Sequence, residues 1–176
     1  MIKTVLLFLY SSFVLQAQSY APAAGEPGTT AISADSPVFV AWATGIELQR
    51  GHVDISNPTF EHEDSNYATY GTAEDALGSA TNSVVSLGDA GEATLTFETP
   101  ITDGDGFDFA VFENSFSDTF LELAFVEVSS DGVNYFRFPS HSETQTETQI
   151  DGFGTIDPTY INNLAGKYKG LFGTPF

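Results

Sequence analysis

This sequence predicts an all-β fold, a jelly-roll-like β-sandwich, on three observations. Apolar residues recur with a period of two through several short runs, the repeat of a strand with one buried face. Gly-, Asp- and Ser-rich turn signals separate those runs. Sixteen Phe residues supply apolar bulk for a core, and with no cysteine in the chain burial alone must hold it. The richest stretch is Gly106 to Phe138, which carries three apolar runs and an Asp-Gly turn.

The N-terminus reads as an export signal. Lys3 is its charged start, Val5 to Leu15 its apolar centre, and Gln16-Ala17 precedes a cut before Gln18. The apolar part is too short to span a bilayer comfortably. The absence of cysteine excludes a lipid attached to the new N-terminus. Residues 1–17 are therefore expected to be a signal peptide, 18–37 a Pro/Gly-rich leader lying across the domain, and 38–176 a single β-sandwich domain.

Within that domain the elements follow in order. Val38 to Ala43 is a short apolar run containing Trp42, closed by the turn Thr44-Gly45. Residues 50–83 form a long polar segment with a short helix at Thr72 to Leu77; such a segment is either functional or a set of short strands. Val84 to Leu87 and Glu92 to Glu98 are strands joined through Gly88-Asp89-Ala90-Gly91. Phe107 to Phe112, Leu121 to Val128 and Val133 to Phe138 are the three central runs. The last two form a hairpin, with a two-residue loop at Asp131-Gly132 or a four-residue loop across Ser129 to Gly132. Both registers put Phe125 on one face with Phe136 and Phe138, because they differ by two residues. Past Phe138 the pattern dissolves, and Asp157 to Tyr168 has weak helical character. This makes about six strands against roughly eight in a jelly roll. Either the last residues supply cryptic strands or the sheet is incomplete at the C-terminus; we expect the latter, with the chain a fragment.

A formal charge of −19 disfavours nucleic acid and anionic membrane surfaces. No Lys or Arg lies between Arg50 and Arg137. The balance suits cations, neutral polar ligands or basic partners, or simply solubility in a saline medium. Asp103-Gly104-Asp105-Gly106-Phe107-Asp108 offers hard oxygen ligands on a flexible loop, so Asp103, Asp105 and Asp108 are candidate Ca²⁺ ligands; a plain Gly-rich turn is the competing reading. Glu113 and Asn114, where a strand ends, are candidates for binding a ligand's hydroxyl groups, with turn chemistry as the alternative. Trp42, Arg50 and Asp54 complete the expected ligand-facing end. Trp42, Tyr67, Tyr70 and Tyr135 could together make a stacking platform, although core burial competes for Trp42. His52, Glu61, His62 and Glu63 fit neither HExxH nor a zinc-finger spacing. There is no GxSxG and no Cys nucleophile, and the three His lack a Ser/Asp arrangement; paired carboxylates for glycoside hydrolysis stay open, but acidic residues are so abundant that their presence singles out no pair.

The segments YAPAAGEPGTTAI (20–32), DSPVFVAWATG (35–45), RGHVDISNP (50–58), VVSLGDAGEATLTFETPI (84–101), FDFAVFENSF (107–116), ELAFVEVSSDGVNYFRFP (122–139) and NNLAGKYKGLFGTPF (162–176) resemble uncharacterised bacterial secreted or cell-surface proteins. Members often carry a C-terminal sorting domain of the type IX secretion or PEP-CTERM kind. In the family the pattern continues past the GTPF motif into further strands. Some relatives lie beside outer-membrane receptors for corrinoids, which implies nutrient capture and a receptor partner. The expectation is an exported, non-enzymatic surface or binding module for an extracellular small molecule or glycan. The alternatives are a carboxylate-dependent glycan-active enzyme and a calcium-stabilised structural or adhesion module.

Overall fold

A computed structural model describes residues 19–176 apart from 82, 149 and 151, so the signal-peptide segment lies outside the described residues. Among the described residues the fold is all-β, built from nine short strands: β1 (Ile32–Ser33), β2 (Gly45–Gln49), β3 (Glu92–Thr96), β4 (Ala110–Val111), β5 (Glu127–Val128), β6 (Phe136–Arg137), β7 (His141–Ser142), β8 (Ile161–Asn162) and β9 (Phe172–Pro175). They pair antiparallel in four small sheets, β1-β9-β4, β2-β3, β5-β6 and β7-β8, and among the described residues none closes into a barrel. Among the described residues helix is confined to two 3-10 turns, Ala73–Ala76 and Pro158–Tyr160. The first falls within the expected Thr72–Leu77, started by a reciprocal cap between Thr72 and Asp75. No helix of the described residues is long and apolar enough to cross a membrane.

The centre of the molecule lies in the C-terminal segment rather than in 106–138. Strand β9 runs between β1 and β4, with Ile32 opposite Gly173 and Val111 opposite Thr174. Backbone bonds between Phe109 and Phe176 carry the second ladder to the last residue. Ile161 (0% exposed), Ala165 (2%) and Tyr168 (1%) are the most buried apolar side chains, with Leu164 and Phe176 beside them. The weak helical character expected over Asp157 to Tyr168 survives only as the turn Pro158–Tyr160. Asn163 and Gly166 adopt positive φ (50° and 74°), which no helix continues through. The leader lies along this segment: Tyr20 N donates to Thr159 O, the Thr30 and Tyr168 hydroxyls meet at 2.8 Å, and Ile32–Ser33 is the edge strand.

The central hairpin departs from its expected register. Val128 stands opposite Phe136 and Glu127 opposite Arg137, one residue away from the pairing of the two-residue loop and three from that of the four-residue loop. A slip of one exchanges faces. Phe125 therefore shares its side with Arg137, whose guanidinium sits 4.2 Å from the ring centroid, and not with Phe136. Both rings are exposed, at 60% and 71%. The cause is the loop. Asp131 does not begin a two-residue turn; its carboxylate accepts from the backbone of Val133 and Asn134 and from the Asn134 amide, while Ser129 Oγ accepts from Gly132 N. These local bonds stabilise a wider loop over 129–135. They also hold the Asp131 carboxyl well below the usual range, the Asn134 backbone bond first among them.

The polar segment 50–83 is ordered by its first residue. Arg50 donates to the carbonyls of Tyr70, Gly71 and Ser86, fastening the far end of the loop to its start. Gly51 and Gly88 meet backbone to backbone there: a Cβ on Gly51 would fall onto Asp89 O.

These placements predict unequal costs of truncation. Ile161→Ala should lose about 2–5 kcal/mol, while Phe136→Ala, on an open surface, should stay within about 0.5 kcal/mol. Urea unfolding of both variants measures the contrast, and a larger loss at Phe136 would return the core to the hairpin.

Candidate functional site

Residues 112–122, FENSFSDTFLE, leave β4 and form a loop held against 153–156 and 166–171. Ser115 (3% exposed) is its anchor. Its hydroxyl donates to Gly166 O and accepts from Glu122 N, and its carbonyl accepts from Gly170 N. Gly166 is required where it stands, because a Cβ there would collide with the Glu122 carbonyl. Ser117 Oγ accepts from the Thr119 and Phe120 amides and turns the chain, and Ile156 N donates to Thr119 O.

That turn stacks Phe116 on Phe120 (ring centroids 5.1 Å, 14° between planes) and Phe120 on Phe153 (5.8 Å, 24°). Phe116 and Phe153, the outer rings, are 72% and 88% exposed. Apolar rings gathered on a surface instead of a core mark an interaction site more often than scattered ones do. Beside them Lys169 pairs with Asp118 at 3.1 Å. On the other side of Ser115, Glu113 accepts from Asn114 N and packs close to Gly166. Burial pushes the Glu113 carboxyl up to about 7, the Asn114 amide opposes the shift, and the neighbouring Glu122 adds to it. Glu122 is raised in the same direction by its own partial burial. The loop thus presents an exposed phenyl ladder and a pair of carboxyls, one holding its proton towards neutral pH.

Of the sequence-derived candidates, Glu113 and Asn114 stand in this loop. Trp42 meets the first residue of this loop, half-buried against Phe39 (5.1 Å) and Phe112 (5.5 Å), and Phe112 covers the space above Gly173. Arg50 spends its guanidinium on three carbonyls. Asp54 caps its own turn, its carboxyl lowered chiefly by the Ser56 hydroxyl. Tyr67 stacks on His52 at 4.5 Å and not on Tyr70 or Trp42. Asp108 turns its carboxylate back to Gly104 N, and Asp103 and Asp105 are exposed. Among the described residues, no three His, Asp or Glu side chains converge as they would on a metal ion. Reasoning from the sequence passed over Phe116, Phe120, Phe153 and Glu122. The four-residue spacing of Phe112, Phe116 and Phe120 was the available signal, but it suits neither a strand nor a helix flanked by Asn, Ser and Asp. No protein-family model, no curated protein and no solved structure matches the chain.

The raised Glu113 has a consequence for stability. The folded state holds its proton between the ordinary value of 4.5 and about 7, where the unfolded chain has released it. This contribution is fully present below 4.5 and is lost as pH rises through about 7. Thermal unfolding across that window should therefore fall more steeply for the wild type than for Glu113→Gln. Parallel curves would show that the carboxyl is not buried.

Proposed function

We propose that this chain is an exported, non-enzymatic binding module for a neutral extracellular ligand, with the 112–122 loop as its ligand-facing end. The observation that carries the reading is the Phe116–Phe120–Phe153 ladder, ordered by backbone bonds yet left open to solvent. A stack of phenyl faces offers a hydrophobic platform to the flat, CH-rich side of a sugar ring. Glu113, Asn114 and Glu122 stand within the same loop to take hydroxyl groups. The charge of −19 favours a neutral glycan over an acidic one. The N-terminal pattern around Lys3 and Val5 to Leu15 supports export, and the resemblance to secreted and cell-surface proteins supports a surface location. For the architecture we keep the jelly-roll-like sandwich; its support is the return of β9 to lie between the non-sequential strands β1 and β4.

A second reading, a carboxylate-dependent glycan-active enzyme, has one observation in its favour. Glu113, protonated towards neutral pH beside Glu122, resembles the acid of a two-carboxylate pair. The two readings separate on one set of samples. Calorimetric titration with neutral oligosaccharides, and with cyanocobalamin as a corrinoid probe, should show saturable binding without turnover. Phe116→Ala and Phe153→Ala should each weaken it by about tenfold or more, since a stacking ring contributes on the order of 1–3 kcal/mol where measured for flat ligands. Their melting temperatures should barely change, as both rings are exposed. Product release that Glu113→Gln abolishes would establish the enzyme instead. Unchanged affinity in both Phe variants would remove the ladder from the site.

A further inference from the structure

A concavity of about 340 Å³ lies between the β2–β3 ladder and the loop of the β5–β6 hairpin, and it shares no residue with the 112–122 loop. Glu47, Thr94, Thr96, Gly132 and Tyr135 line it, with Ile46 at its border. The strand register shows which face of the ladder this is. Glu47 stands opposite Thr94 and Gly45 opposite Thr96, so Glu47, Thr94 and Thr96 project to one side. Leu48 and Leu95 alternate to the other. Gly45 makes room on the lining face: a Cβ there would fall 2.5 Å from Thr96 Oγ1, which leans over the missing side chain. Across the concavity, the Asp131 carboxylate accepts from Val133 N and Asn134 N and so fixes the loop that carries Tyr135.

The lining holds a negative charge that no cation of the described residues answers. Arg50 is spread over three carbonyls, Arg137 pairs with Glu127 and Lys169 with Asp118, and Lys167 donates to the carbonyls of Pro158 and Ile161. Among the described residues Glu47 has no ion-pair or hydrogen-bond partner, and neither threonine hydroxyl has one. All three groups are within reach of a ligand. Glu47 and Thr96 are exposed, and the Thr94 hydroxyl is not among the sealed, unpaired oxygens, which belong to Asp118, Thr144 and Thr174. Tyr135 is 43% exposed.

We propose that this concavity binds a primary alkylammonium group, its charge taken by the Glu47 carboxylate. A primary ammonium has three N–H donors, and Glu47, Thr94 and Thr96 offer three acceptors on one face, at the spacing of neighbouring residues in a ladder. Tyr135 adds an aromatic ring to the same space, a surface that attracts a cation or packs on the carbon chain behind it. The strongly negative chain draws such a cation in and repels an acidic competitor. The volume falls just inside the small-molecule range, which begins at roughly 300 Å³.

The test is titration of the full chain with n-butylammonium chloride, followed by the amide resonances of residues 45–49 and 92–96. The comparisons are n-butanol, tetramethylammonium chloride and sodium chloride, all at constant ionic strength. Butylammonium should shift those resonances and saturate. Butanol, of the same length without the charge, should bind at least about tenfold more weakly, and tetramethylammonium, charged but without N–H, at least about fivefold. Glu47→Gln should weaken butylammonium about tenfold or more and Thr94→Val about fivefold, with circular dichroism unchanged. Glu61→Gln, an exposed acid elsewhere, should leave the affinity as it is. Free amines and lysine side chains both present this group, and Nα-acetyl-lysine methylamide, titrated in parallel, ranks the two sources by affinity. Shifts that never saturate, an equal response to tetramethylammonium or sodium ions, or an equal loss in Glu61→Gln and Glu47→Gln would mean general attraction to an acidic surface and would overturn the proposal. So would equal affinity for butanol.

Discussion

Strand β9 depends on one close approach, that of Gly173 to Ala110 and Phe112. A Cβ at this position would come within 2.9 Å of both side chains, so only glycine lets β9 settle between β1 and β4. From that seat the strand fixes everything near it. Its outer neighbour brings the Pro/Gly-rich leader into the fold through Ile32 and Ser33. Its inner neighbour brings Phe109 over Phe176, with rings 5.5 Å apart. Its N-terminal approach, through residues 161–168, provides the most completely buried side chains of the described residues.

The candidate site is a consequence of this arrangement. The 112–122 loop is held by Ser115 against Gly166 and Gly170, residues of the approach to β9, so its phenyl ladder is displayed on a fixed base. Burial raises the Glu113 carboxyl of that loop, and the neighbouring Glu122 adds to the shift.

The all-β class was legible because alternation and turn chemistry are local properties. So was β3, whose span lies inside the expected Glu92–Glu98, and so was the short helical turn begun by Thr72 and Asp75. The hairpin register was not. Asp131-Gly132 is a strong tight-turn signal, but Asn134 two residues later gives the Asp131 carboxylate a better set of partners and widens the loop by enough to exchange faces. The core was misplaced for a related reason. Hydrophobicity favours the Phe-rich stretch 106–138, whereas burial went to a segment of Ala, Gly, Leu and Tyr whose small residues allow close backbone approach, as at Gly166 and Gly173. Glu113 and Asn114 were recoverable as the end of a strand. The ladder they adjoin depends on Phe153, which lies 33 residues along the chain from Phe120 and meets it only in three dimensions.

The central claim is that the fold rests on residues 158–176 and not on the aromatic hairpin. Native-state amide hydrogen exchange, read by peptide, tests it most directly, because protection follows the free energy needed to open each segment. The account predicts the slowest exchange at Ile161, Ala165 and Phe176, whose amides are bonded within the buried segment or across it. It predicts rapid exchange at 127–137, where a two-pair ladder stands on an open surface. Slow exchange in the hairpin together with fast exchange through 158–176 would contradict it.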